Sequence, residues 1–118
     1  MSKLLLQRAS SAETNDPRIE QRTEPRYHCP RLARIRPRTN KAVTERLAIV
    51  GNISVHGIAL FLTQALEQGT LIDVELRSRY IWRRVATVVH CTKQEGGWLI
   101  GCTLDNALSE HELHSALS

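Results

Sequence analysis

The 118-residue sequence lacks most features of membrane, disulfide-stabilised and exported proteins. No apolar run approaches the roughly 20 residues of a membrane-spanning helix, and residues 3–6 (Lys-Leu-Leu-Leu) are too few for a signal-peptide core. The three cysteines, Cys29, Cys91 and Cys102, are sparse, odd in number and without a Cys-x-x-Cys pair, which argues for a reducing compartment. These absences predict a cytoplasmic protein that does not insert into membranes.

No constellation of residues points to catalysis or to a metal. Ser54 and His56 are two residues apart in a predicted turn, which is no evidence of a catalytic triad, and Gly-x-Ser-x-Gly is missing. None of the histidine and cysteine spacings is typical of a closed zinc site; the residues concerned are His28, Cys29, His90, Cys91, Cys102, His111 and His114. We therefore expect a non-enzymatic protein with no metal and no cofactor.

Lysine is also scarce, and arginine carries most of the positive charge. Thirteen of the sixteen basic residues are Arg, and the formal net charge is +4. A guanidinium group can donate two parallel hydrogen bonds to a phosphate or a guanine edge and can stack on a base. The small excess of charge suits a compact anionic ligand better than a long nucleic acid, which we do not expect as a partner.

Alternation of apolar residues predicts six short strands near residues 31–38, 43–50, 58–63, 72–77, 81–92 and 98–104. Ala33 and Ile35 share one face of the first strand, and arginines occupy the other. Ser109 and Glu112 form a capping-box pattern, which predicts a helix over 109–117. The pattern indicates an all-β fold, a six-stranded antiparallel Greek-key barrel with a short C-terminal helix.

The chain length supports one domain. Residues 1–19 are rich in polar side chains and predict a flexible tail, so the domain is expected to span 20–118. Residues 20–30 form an arm before the first strand. Pro25 biases Glu24 away from helical backbone, so the arm is expected to be extended or turned.

Two polar motifs flank the predicted strands: Arg22-Thr23-Glu24-Pro25-Arg26, and Asn52-Ile53-Ser54-Val55-His56-Gly57. An RxxxR motif followed by [D/N]xSxxG at the start of a β-rich domain resembles the PilZ family, the bacterial receptors for cyclic di-GMP. The resemblance covers about residues 20–118, and residues 97–102 (Gly-Trp-Leu-Ile-Gly-Cys) look like the last strand of that family's barrel. RxxxR spacing occurs elsewhere in the chain, but the motif at 22–26 is preceded by Glu20-Gln21, which resembles the start of the family motif.

The resemblance implies a ligand, cyclic di-GMP, and a set of ligand-binding residues. Arg22 and Arg26 would close over the nucleotide, and Asn52 and Ser54 would hold one guanine. Gly57 would let the ligand approach the backbone without meeting a Cβ atom. The implied function is a receptor that changes conformation on binding and signals to a protein effector. The proposed change is an ordering of the 20–30 arm over the ligand.

Two departures keep a second hypothesis open. The family more often has Asp where this chain has Asn52, and Arg where it has Gln21. A PilZ-like adaptor that no longer binds cyclic di-GMP, and acts only through protein contacts, is therefore the alternative. A third possibility is a small RNA-binding barrel that uses Arg34, Arg36 and Arg38, although such barrels usually carry an aromatic stacking platform.

Overall fold

The structure, a computed structural model, describes residues 24–38 and 45–118. Within these ranges the elements are β1 (Tyr27–His28), β2 (Leu32–Pro37), β3 (Arg46–Ile53), β4 (Gly57–Leu62), β5 (Leu71–Arg77), β6 (Ile81–Gln94), β7 (Gly97–Leu104) and helix α1 (Glu110–Leu117). All strand pairs are antiparallel, in the order β1-β3-β2-β5-β6-β7-β4, and β4 also pairs with β3. β2 to β7 therefore form a closed six-stranded barrel with β1 as an extra strand, which confirms the predicted fold class.

The barrel interior is built by the alternation that the sequence predicted. In β5, Ile72, Val74 and Leu76 are at most 1% exposed, whereas the residues between them face outward. In β2, Ala33 and Ile35 are buried and the arginines between and after them are exposed. Successive side chains of a strand point to opposite faces, so each strand of the barrel contributes one aliphatic row to a common core.

β3 extends further than the sequence predicted. We expected a strand over 43–50, of which residues 43 and 44 lie outside the described ranges, followed at once by a turn. Instead the strand continues through Asn52 and Ile53, with a shift of register between Val50 and Asn52. The shift inserts one extra residue, Gly51, as a β-bulge. Because of this insertion Val50 and Ile53 both point into the core, while Asn52 faces the outer surface of the barrel.

Helix α1 lies across one end of the barrel. The backbone N–H of Leu108, just before the helix, donates to the carbonyl of Val55 in the β3–β4 turn at 2.8 Å. On the helix itself, the hydroxyl of Ser115 lies 2.7 Å from that of Ser78 in the β5–β6 turn. Both turns belong to the same end of the barrel, and Ala116 of α1 is 1% exposed against the core. The helix thus closes the end at which β3 turns into β4.

The start of α1 is fixed by the predicted capping box. The Ser109 hydroxyl accepts from the Glu112 N–H at 3.0 Å, and the Glu112 carboxylate accepts from the Ser109 N–H at 2.8 Å. Arg84 of β6 donates to the same carboxylate at 2.6 Å. Hydrogen bonding to Ser109, and then Arg84, holds the pKa of Glu112 below its usual value. In the described part of the chain no helix is long and apolar enough to cross a bilayer.

Candidate functional site

The arm that carries Arg26 lies against β3. β1 pairs with the end of β3 in an antiparallel register, with Tyr27 opposite Ile53 and His28 opposite Asn52. Continuing this register by one residue puts Arg26 opposite Ser54. The second arginine of the first motif and the serine of the second motif are therefore neighbours on adjacent chain segments at one end of the barrel.

A contact further along the arm supports the same register. Continuing by two more residues puts Glu24 opposite His56, and these residues do touch. One Glu24 carboxylate oxygen accepts from the His56 backbone N–H at 3.3 Å, and the other contacts the imidazole Nδ1. The segment from Glu24 to His28 is thus aligned with the β3–β4 turn at both ends.

The second motif forms a tight hairpin turn. The Ser54 N–H donates to the Gly57 carbonyl at 2.9 Å, so Val55 and His56 are the two loop residues. The His56 carbonyl accepts from the Leu104 N–H at 2.8 Å, which ties the turn to the end of β7. The turn is consequently fixed from two sides.

Ser54 is only 6% exposed, although it is polar. Its hydroxyl lies 3.5 Å from the Gly57 carbonyl, which is at the outer limit of a hydrogen bond. A hydroxyl has one donor and two acceptor positions. This contact uses the hydroxyl as a donor, so its two acceptor positions lie outside it.

The missing side chain of Gly57 matters for space and not for its backbone dihedral angles. Within the described residues, positive φ occurs only at Gly69 and Gly96 among the glycines. A Cβ atom at position 57 would instead lie 3.2 Å from the Cys102 carbonyl oxygen and 3.5 Å from the Ser54 hydroxyl. The first contact is tighter than usual and the second is an ordinary van der Waals contact, so a side chain here would press on the backbone of β7.

A flat strip of small residues lies beside the two motifs. Asn52 pairs with Ala59, Ala59 with Gly101, and Gly101 with His90, so the strip crosses β3, β4, β7 and β6. Ala59 must face outward because its neighbours Ile58 and Leu60 are buried in the core. We call the outward-facing positions Gly57, Ala59 and Gly101 the small-residue platform.

His90 borders the platform on the side away from Asn52. A Cβ atom at Gly101 would collide with the His90 imidazole, so the ring lies directly over that glycine. His28, opposite Asn52 on β1, is exposed at the other border. Sequence reasoning missed Ala59, Gly101 and the two histidines as site residues, since the bulges that align them leave only weak signals in the sequence.

The predicted site residues are placed as follows. Arg22, together with Gln21, lies outside the described residues, so the structure does not place the first arginine. Arg26, Asn52, Ser54 and Gly57 fall on neighbouring segments at one end of the barrel wall formed by the arm, β3 and β4. Their roles in ligand binding remain predictions.

Cys102 lies beneath this wall on the inward face of β7 and is 5% exposed. Burial raises the pKa of its thiol to about 12, so the group is neutral at physiological pH and acts as a small core residue. In residues 24–38 and 45–118, no group of three or more His, Cys, Asp or Glu side chains is arranged to hold a metal ion.

The arrangement as a whole provides complementary chemistry for a planar, anionic molecule. Arg26 supplies a cation with a forked donor, and Asn52 and Ser54 supply short polar groups on the adjacent strand. Ala59 is 6% exposed and the His90 ring covers Gly101, so these two positions form a closely packed floor beside the motif residues.

Several solved structures share this fold at low sequence identity. The structure of the K. pneumoniae MrkH–c-di-GMP complex has 19% identity and a TM-score of 0.55, and the match covers 72% of this chain and 44% of that chain. The Bacillus subtilis inhibitor of motility MotI/DgrA has 13% identity and a TM-score of 0.53, and the match covers 80% of this chain and 47% of that chain. The PilZ domain of YcgR from Escherichia coli, solved with c-di-GMP, has 13% identity and a TM-score of 0.54, and the match covers 82% of this chain and 88% of that chain.

The match thus spans less than half of the MrkH and MotI chains, and nearly all of the YcgR domain. A comparison with curated proteins gives no match. At the level of sequence, residues 20–117 match the PilZ domain, which is almost the whole region from the arm to the end of α1. Together with the barrel and its N-terminal arm, this match shows that the chain belongs to the PilZ domain family.

Proposed function

We propose that this protein is a cyclic di-GMP receptor that binds the nucleotide on the outer face of the barrel. Arg22 and Arg26 form the cationic side of the site, Asn52 and Ser54 form the neutral side, and Gly57 keeps the space between them open. The register that puts Arg26 opposite Ser54 is the observation that carries the proposal. Two of the structural neighbours, MrkH and the YcgR domain, were solved with the same nucleotide.

The chemistry of the ligand matches these groups. Cyclic di-GMP presents two phosphates and two guanines. A guanine offers O6 and N7 as acceptors, which a guanidinium can bind together, and N1–H and N2–H₂ as donors. Asn52 and Ser54 can accept from those donors. Arg26 can clamp a phosphate or a guanine edge, and Arg22 would take the other of these two tasks.

The small-residue platform could form the floor under the nucleotide. The His90 ring covers Gly101, so a base could pack flat over Ala59 and Gly101, next to Asn52, only after that ring swings aside. The displaced His90 ring could then stack on the outer edge of the base. This extends the predicted site by two strands, from the β3–β4 turn to β7 and β6.

The signal would pass to a protein effector. The segment from Glu24 onward is aligned with β3 and the β3–β4 turn. The change on binding that we propose is an ordering of the 20–30 arm over the nucleotide. A ligand shifts such an equilibrium only by its difference in affinity for the two states.

Isothermal titration calorimetry with cyclic di-GMP tests the proposal. We expect wild-type protein to bind and Arg26→Ala to bind at least roughly tenfold more weakly, since a charge-assisted hydrogen bond contributes about 1.5–3 kcal/mol. Arg79→Ala removes an exposed arginine of the β5–β6 loop and is the matched control. Binding that is equal in Arg26→Ala and Arg79→Ala would show that the wrong arginine was chosen, and no heat with wild type would favour the adaptor.

A further inference from the structure

The outer face of β2 and β3 carries a cluster of exposed apolar side chains. Leu47 is 63% exposed, Leu32 58% and Ile49 50%. Leu32 and Ile49 are paired across the two strands, and Leu47 is the next outward residue along β3. Single exposed apolar side chains are common on protein surfaces, but three adjacent ones form a patch of the kind that marks interaction sites.

The apolar row continues beyond these two strands. Ile49 pairs with Phe61 of β4, and Phe61 pairs with Leu99 of β7. Both of these residues are half-buried. The patch is therefore a contiguous ridge across four strands, with its most exposed part on β2 and β3.

Arginines border the ridge. Arg34 pairs with Leu47 across the strands, and Arg36 follows it on β2. Among the described residues, Glu45 forms an ion pair with both, at 3.8 Å from the Arg34 guanidinium and 4.0 Å from that of Arg36. These are long contacts between exposed groups, which are worth little energy, so both arginines can exchange Glu45 for a better partner.

Arg34 and Arg36 also line a shallow groove of about 660 Å³ on the outer face of β2, β5 and β6. Arg77 and Arg83 line its far side, and both share a single carboxylate, Glu75. Arginine therefore outnumbers acid on the groove and along its border with the ridge. We call the ridge residues Leu32, Leu47 and Ile49, together with Arg34 and Arg36, the β2–β3 face.

We propose that the β2–β3 face docks a protein partner that presents apolar side chains bordered by Asp and Glu. Protein interfaces combine an apolar centre with arginine in this way. A nucleic acid usually also needs aromatic side chains on which its bases stack, and none of the described residues lining the groove is aromatic. A second copy of this chain would bring arginine against arginine.

The proposal is independent of cyclic di-GMP binding. Leu47 lies on the same outer face as Asn52, five residues earlier and on the far side of the Gly51 bulge, so about 16 Å separates them along the strand. A partner on the β2–β3 face would border the nucleotide without touching Arg26 or Ser54. Substitution of Leu47 is therefore expected to leave nucleotide affinity unchanged.

A designed peptide provides the test. The probe is a fluorescein-labelled amphipathic peptide of about four helical turns, with leucines on one face and glutamates elsewhere. A version with lysine for glutamate, a single-stranded RNA, and vesicles of phosphatidylcholine with phosphatidylglycerol are the comparison probes. Binding is followed by fluorescence anisotropy with full-length protein and located by amide chemical shifts in ¹⁵N-labelled protein.

We expect the glutamate peptide alone to bind, with shifts centred on the β2–β3 face. Leu47→Glu and Arg34→Glu should each weaken it roughly tenfold or more. Ile81→Glu is the matched control, because Ile81 is 52% exposed on a different part of the barrel. All variants should keep the wild-type thermal unfolding profile, and Leu47→Glu should keep wild-type affinity for cyclic di-GMP.

Four results would overturn the proposal: no shifts on the β2–β3 face, an equal loss of binding in Ile81→Glu, tighter binding of RNA or vesicles than of the peptide, or a dimer in sedimentation that Leu47→Glu dissociates. Failure of the wild type to bind cyclic di-GMP would refute the proposed receptor function and leave this proposal standing.

Discussion

Arg31 joins the arm to the end of helix α1, and its removal should destabilise the whole domain. Its Nε donates to the Ala116 carbonyl at 2.6 Å, and its second nitrogen contacts the carbonyl of Ser118. Both acceptors are at the C-terminal end of the helix, where carbonyls lack helical partners and a positive charge is favourable. Arg31 follows the arm directly, so these bonds hold the helix against the segment that carries Arg26.

The expected cost can be worked from these contacts. The bond to Ala116 is charge-assisted and partly buried, and such bonds contribute about 1.5–3 kcal/mol. The contact with Ser118 is exposed and adds little. The Cys29 thiol, 3.4 Å from the same Ala116 oxygen, is too weak a donor to replace the guanidinium. We therefore expect Arg31→Ala to lower the free energy of unfolding by about 2 kcal/mol, which lowers the Tm by roughly 8–16 °C for a domain of this size.

Urea unfolding followed by the fluorescence of Trp82 and Trp98 measures this loss. The midpoint should fall with little change in the slope, since the surface exposed on unfolding stays the same. Arg31→Lys keeps the positive charge but loses the forked pair of donors, so its free energy of unfolding should lie between those of wild type and Arg31→Ala. If Arg31→Ala were within about 0.5 kcal/mol of the exposed control Arg79→Ala, the helix would not be held by this residue.

Three further predictions concern the helix cap and the candidate site. Glu112→Gln should lower stability by about 0.5–1 kcal/mol at pH 7. Because the folded-state pKa of Glu112 is depressed, the stabilisation by its carboxylate is lost as pH falls through that pKa. The free energies of unfolding of wild type and variant should therefore converge at acid pH. A constant difference between them would contradict the role of Glu112 in the helix cap. Gly101→Ala should displace the exposed His90 ring at little cost in stability and should weaken the binding of cyclic di-GMP several-fold, as measured by calorimetry. Unchanged affinity would show that the small-residue platform is not part of the site. Asn52→Asp restores a charged acceptor for guanine N–H groups and should tighten binding by up to roughly tenfold, whereas weaker binding would mean that Asn52 faces a phosphate.

The barrel could be predicted from sequence because its strands obey a simple rule. Apolar residues alternate with polar ones in β2 and β5, and a strand needs no distant information to bury the apolar face. The helix start could be predicted for the same reason, since Ser109 and Glu112 satisfy each other's backbone groups locally.

Features that depend on pairing between distant segments could not be predicted. β1 is two residues long, and Tyr27 and His28 become a strand only because the end of β3 is there to pair with them. The bulge at Gly51 moves Asn52 from the predicted turn onto the strand. Nothing in the local sequence distinguishes Gly51 from a residue of a regular strand.

The candidate site was predicted in part. Its motif residues were found through family resemblance, and the structure brings Arg26 and Ser54 to adjacent segments. The platform was missed because a second register shift, between Val88 and His90, reverses which residues of β6 face outward. Without that shift His90 would not share a face with Gly101.

The central claim is that cyclic di-GMP lies on the wall formed by the arm, β3, β4 and β7. Amide chemical-shift mapping of ¹⁵N-labelled full-length protein with the nucleotide tests it most directly. The account predicts the largest shifts at residues 26–28, in the turn from Asn52 to Gly57, and at Gly101. Shifts centred instead on β5, on the opposite wall of the barrel, would contradict it.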